Sequence, residues 1–348
     1  MTTFPSLVQR EQRVSMKHGG GGRAMRALIE SVFLQGADDL PVDGVGLAAM
    51  DDGAALRLGD QHLIITTDSH VIHPLFFPGG DIGTLSVSGT VNDLAMMGAT
   101  RLLGLTCAVI LEEGLDREIL ERVSRSMRDT CRAVGVPIVT GDTKVMGKGE
   151  VDALVINTTG VALTSRVVRD NGLRVGDRVI VTGDVGDHGL AVMAQRTRLQ
   201  LDGELRSDVA PLFDLVQAVL RAGGDDVVAM KDPTRGGLSS ALHELASKAG
   251  VGLLVSEADV PVSAAARAAS ELLGIDPLHV ANEGKALIGV RPGAADRVLA
   301  ALKAHPLGRN AALIGTAIAE PKGKVVLDTG FGRRLLAEPE GELLPRIC

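Results

Sequence analysis

Short apolar runs of strand character alternate with segments of helical period along most of this chain, and the pattern lapses once, between Ser165 and Gly176. That single break is the strongest constraint on the fold. Before it, Leu63-Ile64-Ile65-Thr66-Thr67 reads as a strand ending on Asp68, and Leu102 to Leu111 as a buried strand after a tight turn at Gly98. Asp116 to Val134 carries Ile119, Leu120, Val123, Met127, Cys131 and Val134 on one helical face, and Pro137 to Val139 reads as a short strand. Across Arg166, Arg169, Asp170, Asn171 and Gly172 the apolar pattern stops. It resumes with a strand at Arg178 to Thr182, helices over Pro211 to Ala222 and after Gly236-Gly237, and strands near Leu287, Leu313 and Val325. Two α+β domains, each a sheet with covering helices, account for this order. We expect an arm over 1–17, domains over 18–168 and 169–333, and a mobile tail over 334–348.

Composition narrows the classes of function. A net charge of -7 with no Trp or Tyr argues against nucleic acid as a partner. No apolar run reaches the eighteen residues of a membrane span, and Met1 to Lys17 lacks the apolar core of a secretory signal. The three cysteines have no metal-ligand spacing; Cys107 and Cys131 read as core, which fits a reducing cytoplasm.

The last residue, Cys348, ends a segment interrupted by Pro339, Gly341 and Pro345, and reads as an accessible thiol on an extended end. His18 and the glycines Gly19, Gly20, Gly21 and Gly22 open into a helix bearing Met25, Leu28, Ile29, Val32 and Phe33. Such a loop offers backbone amides to phosphate, although an isolated glycine run is more often a flexible hinge. Acidic residues recur at what read as loop positions: Asp51, Asp52, Asp68, Asp93 after Asn92, and Asp142 in Gly141-Asp142-Thr143-Lys144. Converging carboxylates suit Mg²⁺, which takes hard oxygen ligands and bridges to polyphosphate; singly, each is explained by turn or cap chemistry. In Lys231-Asp232-Pro233-Thr234-Arg235-Gly236-Gly237, Thr234 or Arg235 could meet an anion and Asp232 could cap the next helix. Ala281-Asn282-Glu283-Gly284-Lys285 reads by default as a solvated turn, and His188 as a hydrogen-bonding turn residue.

Several of these segments together carry a resemblance. His18 to Gly22, Thr67-Asp68-Ser69, Phe76 to Gly83, Gly89 to Ala95, Gly141 to Val145, Asp232 to Gly237, Ala281 to Lys285 and the terminal Pro345-Arg346-Ile347-Cys348 are similar to the HypE carbamoyl dehydratases of NiFe-hydrogenase maturation. Most of these blocks are shared with aminoimidazole ribonucleotide synthetase, selenophosphate synthetase and thiamine-phosphate kinase, and specify an ATP enzyme. The terminal Pro-Arg-Ile-Cys is specific to the family. The longer arm before Lys17 and His70, where relatives often have an aromatic residue, depart from its pattern.

The resemblance implies a two-domain PurM-like fold whose N-terminal sheets pair across a homodimer into a shared barrel, with a C-terminal α/β sandwich. It implies ATP and Mg²⁺ as cofactors. Gly19 to Gly22, Asp51, Asp52, Asp68, Asn92, Asp93, Asp142 and Lys144 are then nucleotide contacts, with Asp52, Asp68, Asp93 and Asp142 at the metal. A HypF-type carbamoyltransferase loads Cys348, ATP activates the carboxamide oxygen, Lys144 sits at the phosphates and Glu283 removes the nitrogen protons. The S-cyanate passes to iron on a HypC–HypD-type complex. The resemblance leaves open whether the tail enters its own site or a neighbour's. Two rival readings are another ATP enzyme of the superfamily, with an irrelevant tail, and a nucleotide-binding carrier that presents a thiol without chemistry.

Overall fold

A computed structural model describes residues 13–35, 42–199, 203–341 and 346–348. Most of the expected arm and the Pro345 segment therefore lie outside the described residues. The glycine run leads into α1 (Gly22–Leu28), which continues as a wider turn over Ile29–Phe33. Strands β1 (Gly44–Val45), β2 (Ala54–Leu58) and β3 (Gln61–His70) follow, then a small hairpin of β4 (Phe76–Phe77) and β5 (Gly80–Asp81). Helix α2 (Ile82–Met96), β6 (Arg101–Glu112), α3 (Arg117–Val134), β7 (Ile138–Met146) and β8 (Leu154–Thr164) complete this half. Six of the strands form one sheet in the order β1-β2-β3-β8-β6-β7, antiparallel except where β6 meets β7.

Beyond the break the order is β9 (Arg178–Val181), α4 (Asp187–Thr197), α5 (Phe213–Gly223), β10 (Val227–Lys231), α6 (Gly237–Ala249) and β11 (Gly252–Ser256). Then come α7 (Ala264–Leu273), β12 (Leu287–Val290), α8 (Ala295–Ala304), β13 (Ala312–Ile318), β14 (Val325–Asp328) and β15 (Arg333–Leu335). These strands make a second sheet, β10-β12-β9-β13-β11-β14-β15. Among the described residues no helix is long and apolar enough to cross a membrane.

Helix α2 joins the halves. All its residues except Thr84 and Asp93 are buried, because it packs on β3 and β8 from one side and on α5 and β10 from the other. Asp81 caps it, its Oδ1 accepting from the amides of Gly83 and Thr84 at 2.8 and 3.0 Å. Of the polar residues it buries, Thr90 pairs with Thr158 at 2.5 Å and Thr158 donates to the Ser86 carbonyl, while Ser88 Oγ has no hydrogen-bond partner among the described residues. Asn92 donates to the carbonyls of Ala210 and Glu283 and accepts from the Leu212 amide at 2.7 Å.

Three sequence expectations change here. Asp93 lies on a helix, while Asp68 and Asp142 lie within strands; β3 runs on to His70 and the short strand at Pro137 to Val139 extends to Met146. Alternation hides these positions, since a polar residue on the outer face of a strand looks the same in sequence as one in a turn. The Ala281 to Lys285 loop is not solvated: Asn282 and Glu283 are buried.

Candidate functional site

A cavity of about 470 Å³ opens between the two halves, within the range of small-molecule sites. β2 and β3 supply one wall, α2 contributes Asp93, and the loop after β10 contributes Asp232, Thr234 and Arg235. Glu283 and Cys348 also line it.

Its carboxylates crowd one another. Asp93 Oδ2 accepts from Thr66 Oγ1 at 2.8 Å, yet burial and the neighbouring Asp232, Asp68 and Asp52 push its carboxyl well above the ordinary range. Asp232 is raised to about 8, first by burial and then by Asp52. Asp51, walled in beside Asp170, is raised to about 7 by the same two effects. Asp68 lies beside the buried His70, whose Nε2 is 3.4 Å from Asp68 Oδ2.

The cations set against this charge went unnoticed in the sequence. Lys231, the last residue of β10, places Nζ 2.5 Å from Asp52 Oδ1 and 3.2 Å from Glu244 Oε2. Lys248 bonds Asp170 Oδ2 and the Met50 carbonyl, both at 2.5 Å. A signal for them existed: Glu244 and Lys248 are one helical turn apart on α6, and Lys231 ends an otherwise apolar strand. Even so, Asp52 Oδ2 is buried with no hydrogen-bond partner among the described residues. Asp232 faces the cavity and makes no cap bond to α6.

Glu283 is the most isolated of the acids. Its amide donates to Asp208 Oδ1 at 3.0 Å and its carbonyl accepts from Asn92, so the backbone is pinned on both sides. The side chain is buried in the cavity wall with Oε1 unpartnered. Burial, then Asp232 and Asp68, push its carboxyl well above the ordinary range.

Cys348 reaches this cavity. The Val71 amide donates to the main-chain O of Cys348 at 2.9 Å, and the His73 amide to that of Arg346 at 3.2 Å. Ile347 is buried in a core cluster that draws residues from both halves, and Arg346 pairs with Asp152. The extended, accessible end expected from the sequence is thus seated at the end of β3, with its thiol half-buried. Cys131 is buried and Cys107 half-buried, as core residues.

Five expected contacts are placed elsewhere. Asp142 and Lys144 pair with each other at 3.3 Å on β7, where every residue is exposed. Three strand steps separate β7 from β3, roughly 14 Å, because β8 and β6 intervene. Asn92 spends its side chain joining the halves and does not line the cavity. Gly19 and Gly20 stand outside it as well; only Gly21 and Gly22 line it, at φ of 74° and 68°.

At those two positions a Cβ would meet backbone, Arg235 O at 2.7 Å and Pro339 O at 2.3 Å. The α1 amides that the sequence offered to phosphate are engaged within the chain: Arg23 donates to the Pro339 carbonyl and Ala24 to that of Glu340. Ion pairs of Arg23 with Glu340 and Arg26 with Glu338 hold the same segment down.

Comparison with known proteins supplies the remaining findings. Residues 50–164 match the model of the AIR synthase related protein N-terminal domain, and residues 174–328 that of the C-terminal domain. The chain is 45% identical over 339 residues to the carbamoyl dehydratase HypE of Rhizobium leguminosarum bv. viciae, covering 97% of this chain and 95% of that one. A crystal structure of HypE in a HypE–HypF complex superposes with a TM-score of 0.83 at 41% identity, covering 90% of this chain and 100% of that one. A structure of the hydrogenase maturation protein HypE in complex with ATP superposes at 0.79 and 42% identity, covering 97% and 100%.

Proposed function

The chain belongs to the family of HypE carbamoyl dehydratases, with the two PurM-like domains of that family, and on this premise we propose that it converts an S-carboxamide on Cys348 into an S-cyanate at the expense of ATP. The product supplies cyanide to the iron of a NiFe-hydrogenase during maturation. The observation that carries this reading is the meeting of Cys348 with the unpartnered carboxyl of Glu283 in one cavity.

Dehydration removes two protons from the carboxamide nitrogen and one oxygen from its carbon as the C≡N bond forms. Glu283 is the base: the burial that raises its proton affinity makes its carboxylate a stronger base than an exposed glutamate. ATP bound with Mg²⁺ supplies the phosphoryl group that turns the carboxamide oxygen into a leaving group. Asp52, Asp68 and Asp93 are suited to hold that ion. They are hard oxygen donors, Asp52 Oδ2 lacks a partner, and the mutual repulsion of the buried acids asks for a cation. Among the described residues no three acids, histidines or cysteines are grouped so as to hold an ion by themselves. Arg235 and Thr234, with Gly21 and Gly22, then face the nucleotide.

The open edge at β7, with Val139 and Val145 exposed, supports a homodimer in which a second subunit covers this strand. Asp142 and Lys144 would then act at the neighbour's phosphates. A HypF-type protein loads the carbamoyl group and a HypC–HypD-type complex accepts the cyanide; the reaction belongs in the cytoplasm, where thiols stay reduced.

The experiment is a single-turnover assay on carbamoylated protein. Glu283→Gln should bind ATP normally and lose about a hundredfold or more in dehydration rate. Dehydration at the wild-type rate in that variant would remove Glu283 from the base role.

A further inference from the structure

Arg346, Ile347 and Cys348 are fixed through their main-chain oxygens, and these fall into two kinds. The oxygens of Arg346 and Cys348 face the segment just after β3, where they meet the backbone amides of His73 and Val71. The Ile347 carbonyl is directed instead at the second half of the chain, where it meets His188 Nε2 at 2.6 Å.

A carbonyl only accepts, so Nε2 carries the proton in this contact. Nδ1 is then the acceptor of a neutral ring, and it lies 2.8 Å from Ser207 Oγ, which donates to it. Ser207 is itself held, its Oγ accepting from the Val209 amide at 3.0 Å and its amide donating to the Pro78 carbonyl at 2.8 Å. The histidine ring is buried edge-on to Phe77, with ring centroids 5.3 Å apart at 89°. Burial lowers its proton affinity, which keeps the ring neutral and the tautomer single.

We propose that His188 is a positioning residue for the dehydration: by holding the Ile347 carbonyl, with Ser207 setting its tautomer, it fixes the rotation and depth at which Cys348 faces Glu283. This rests on the function proposed above. His188 bonds a backbone atom, so it acts alike on the bare, the carbamoylated and the cyanated cysteine. It also makes seating of the tail depend on both halves of the chain, the segment after β3 through the amides of Val71 and His73, and α4 through this imidazole together with Arg196, which donates to the Arg346 carbonyl.

The test uses the full-length protein and two measurements. One is the rate at which iodoacetamide alkylates Cys348 without nucleotide, read by peptide mass spectrometry with buried Cys131 as internal reference. The other is single-turnover dehydration after carbamoylation. In His188→Leu, Cys348 should alkylate roughly tenfold faster and dehydrate roughly tenfold slower, with ATP affinity unchanged, as loss of one buried hydrogen bond predicts.

In His188→Gln the amide nitrogen takes the place of Nε2, and both rates should return to within about threefold of wild type. His188→Asn, too short to reach Ile347, should behave as His188→Leu does, so the Gln and Asn pair decides the matter even where the Leu variant fails to fold. Equal rates in the Gln and Asn variants, or wild-type rates in His188→Leu, would overturn the proposal. If carbamoylated wild-type protein does not dehydrate at all, the proposed function fails, while the alkylation rates still report on His188.

Discussion

The acids of the cavity and the Asp142–Lys144 pair of β7 belong to motifs of the same appearance, yet the fold treats them in opposite ways. Asp52, Asp93, Asp232 and Glu283 converge from four separate stretches of chain into one buried space, where each raises or frustrates another's charge. Among the described residues Asp142 and Lys144 pair with each other, in solvent, on a strand at the edge of its sheet. The difference teaches that one chain completes the part of the site that surrounds the cysteine. The part expected at the phosphates stands on a sheet edge, where a second copy would have to bring it to a cavity.

The sharpest way to break this comparison is complementation. Lys144→Ala and Glu283→Gln subunits, each inactive alone, are mixed after dissociation and allowed to reassociate. If Lys144 serves the neighbour's cavity, half the dimers are mixed and each has one intact site, giving about a quarter of wild-type activity. No recovery would mean that Lys144 acts in its own subunit or not at all.

A second contrast lies in stability. Lys231→Met leaves Asp52 and Glu244 buried without their cation and should cost about 3 kcal/mol in chemical denaturation. Lys144→Met should stay within about 0.5 kcal/mol, since its ion pair is exposed. Similar losses in both would erase the distinction between interior and edge.

The smallest effect concerns pH. Asp232 titrates near 8 in the folded protein and near the ordinary carboxylate value when unfolded, so between these limits the folded state binds more protons. Stability therefore falls as pH rises from about 4 to 8, and Asp51, raised to about 7, adds to the slope. The melting temperature of nucleotide-free protein should drop by a few degrees across that window, and less steeply in Asp232→Asn. An identical slope in the variant would mean that Asp232 ionises freely at neutral pH.

How much of this could be read in advance depended on the kind of feature. The alternating elements, the polar break at Arg166 to Gly172 and the apolar face of α3 were legible because burial imposes a period on sequence. Asp93 and Glu283 were singled out through the family resemblance, Asp93 as a loop residue because sequence does not show that α2 is buried between the two halves, and Glu283 in a loop that the structure buries. Asn92 was misassigned for the same reason: a buried amide that joins two domains and one that binds a ligand leave the same letter. The seat of the tail was not legible at all, since it is made by backbone amides of Val71 and His73 and by a histidine 159 residues away from Ile347. Lys231 escaped notice because its partners, Asp52 and Glu244, come from distant positions in the chain.

The central claim is that Cys348 carries the group on which the rest of the protein acts. It is tested most directly by mass spectrometry of the peptide bearing Cys348 after incubation of intact protein with a carbamoyl donor protein, and then with ATP. Cys348 should first gain a carbamoyl group and then, only with ATP, lose one water from it. Modification of Cys107 or Cys131 instead, or turnover that persists in Cys348→Ala, would contradict it.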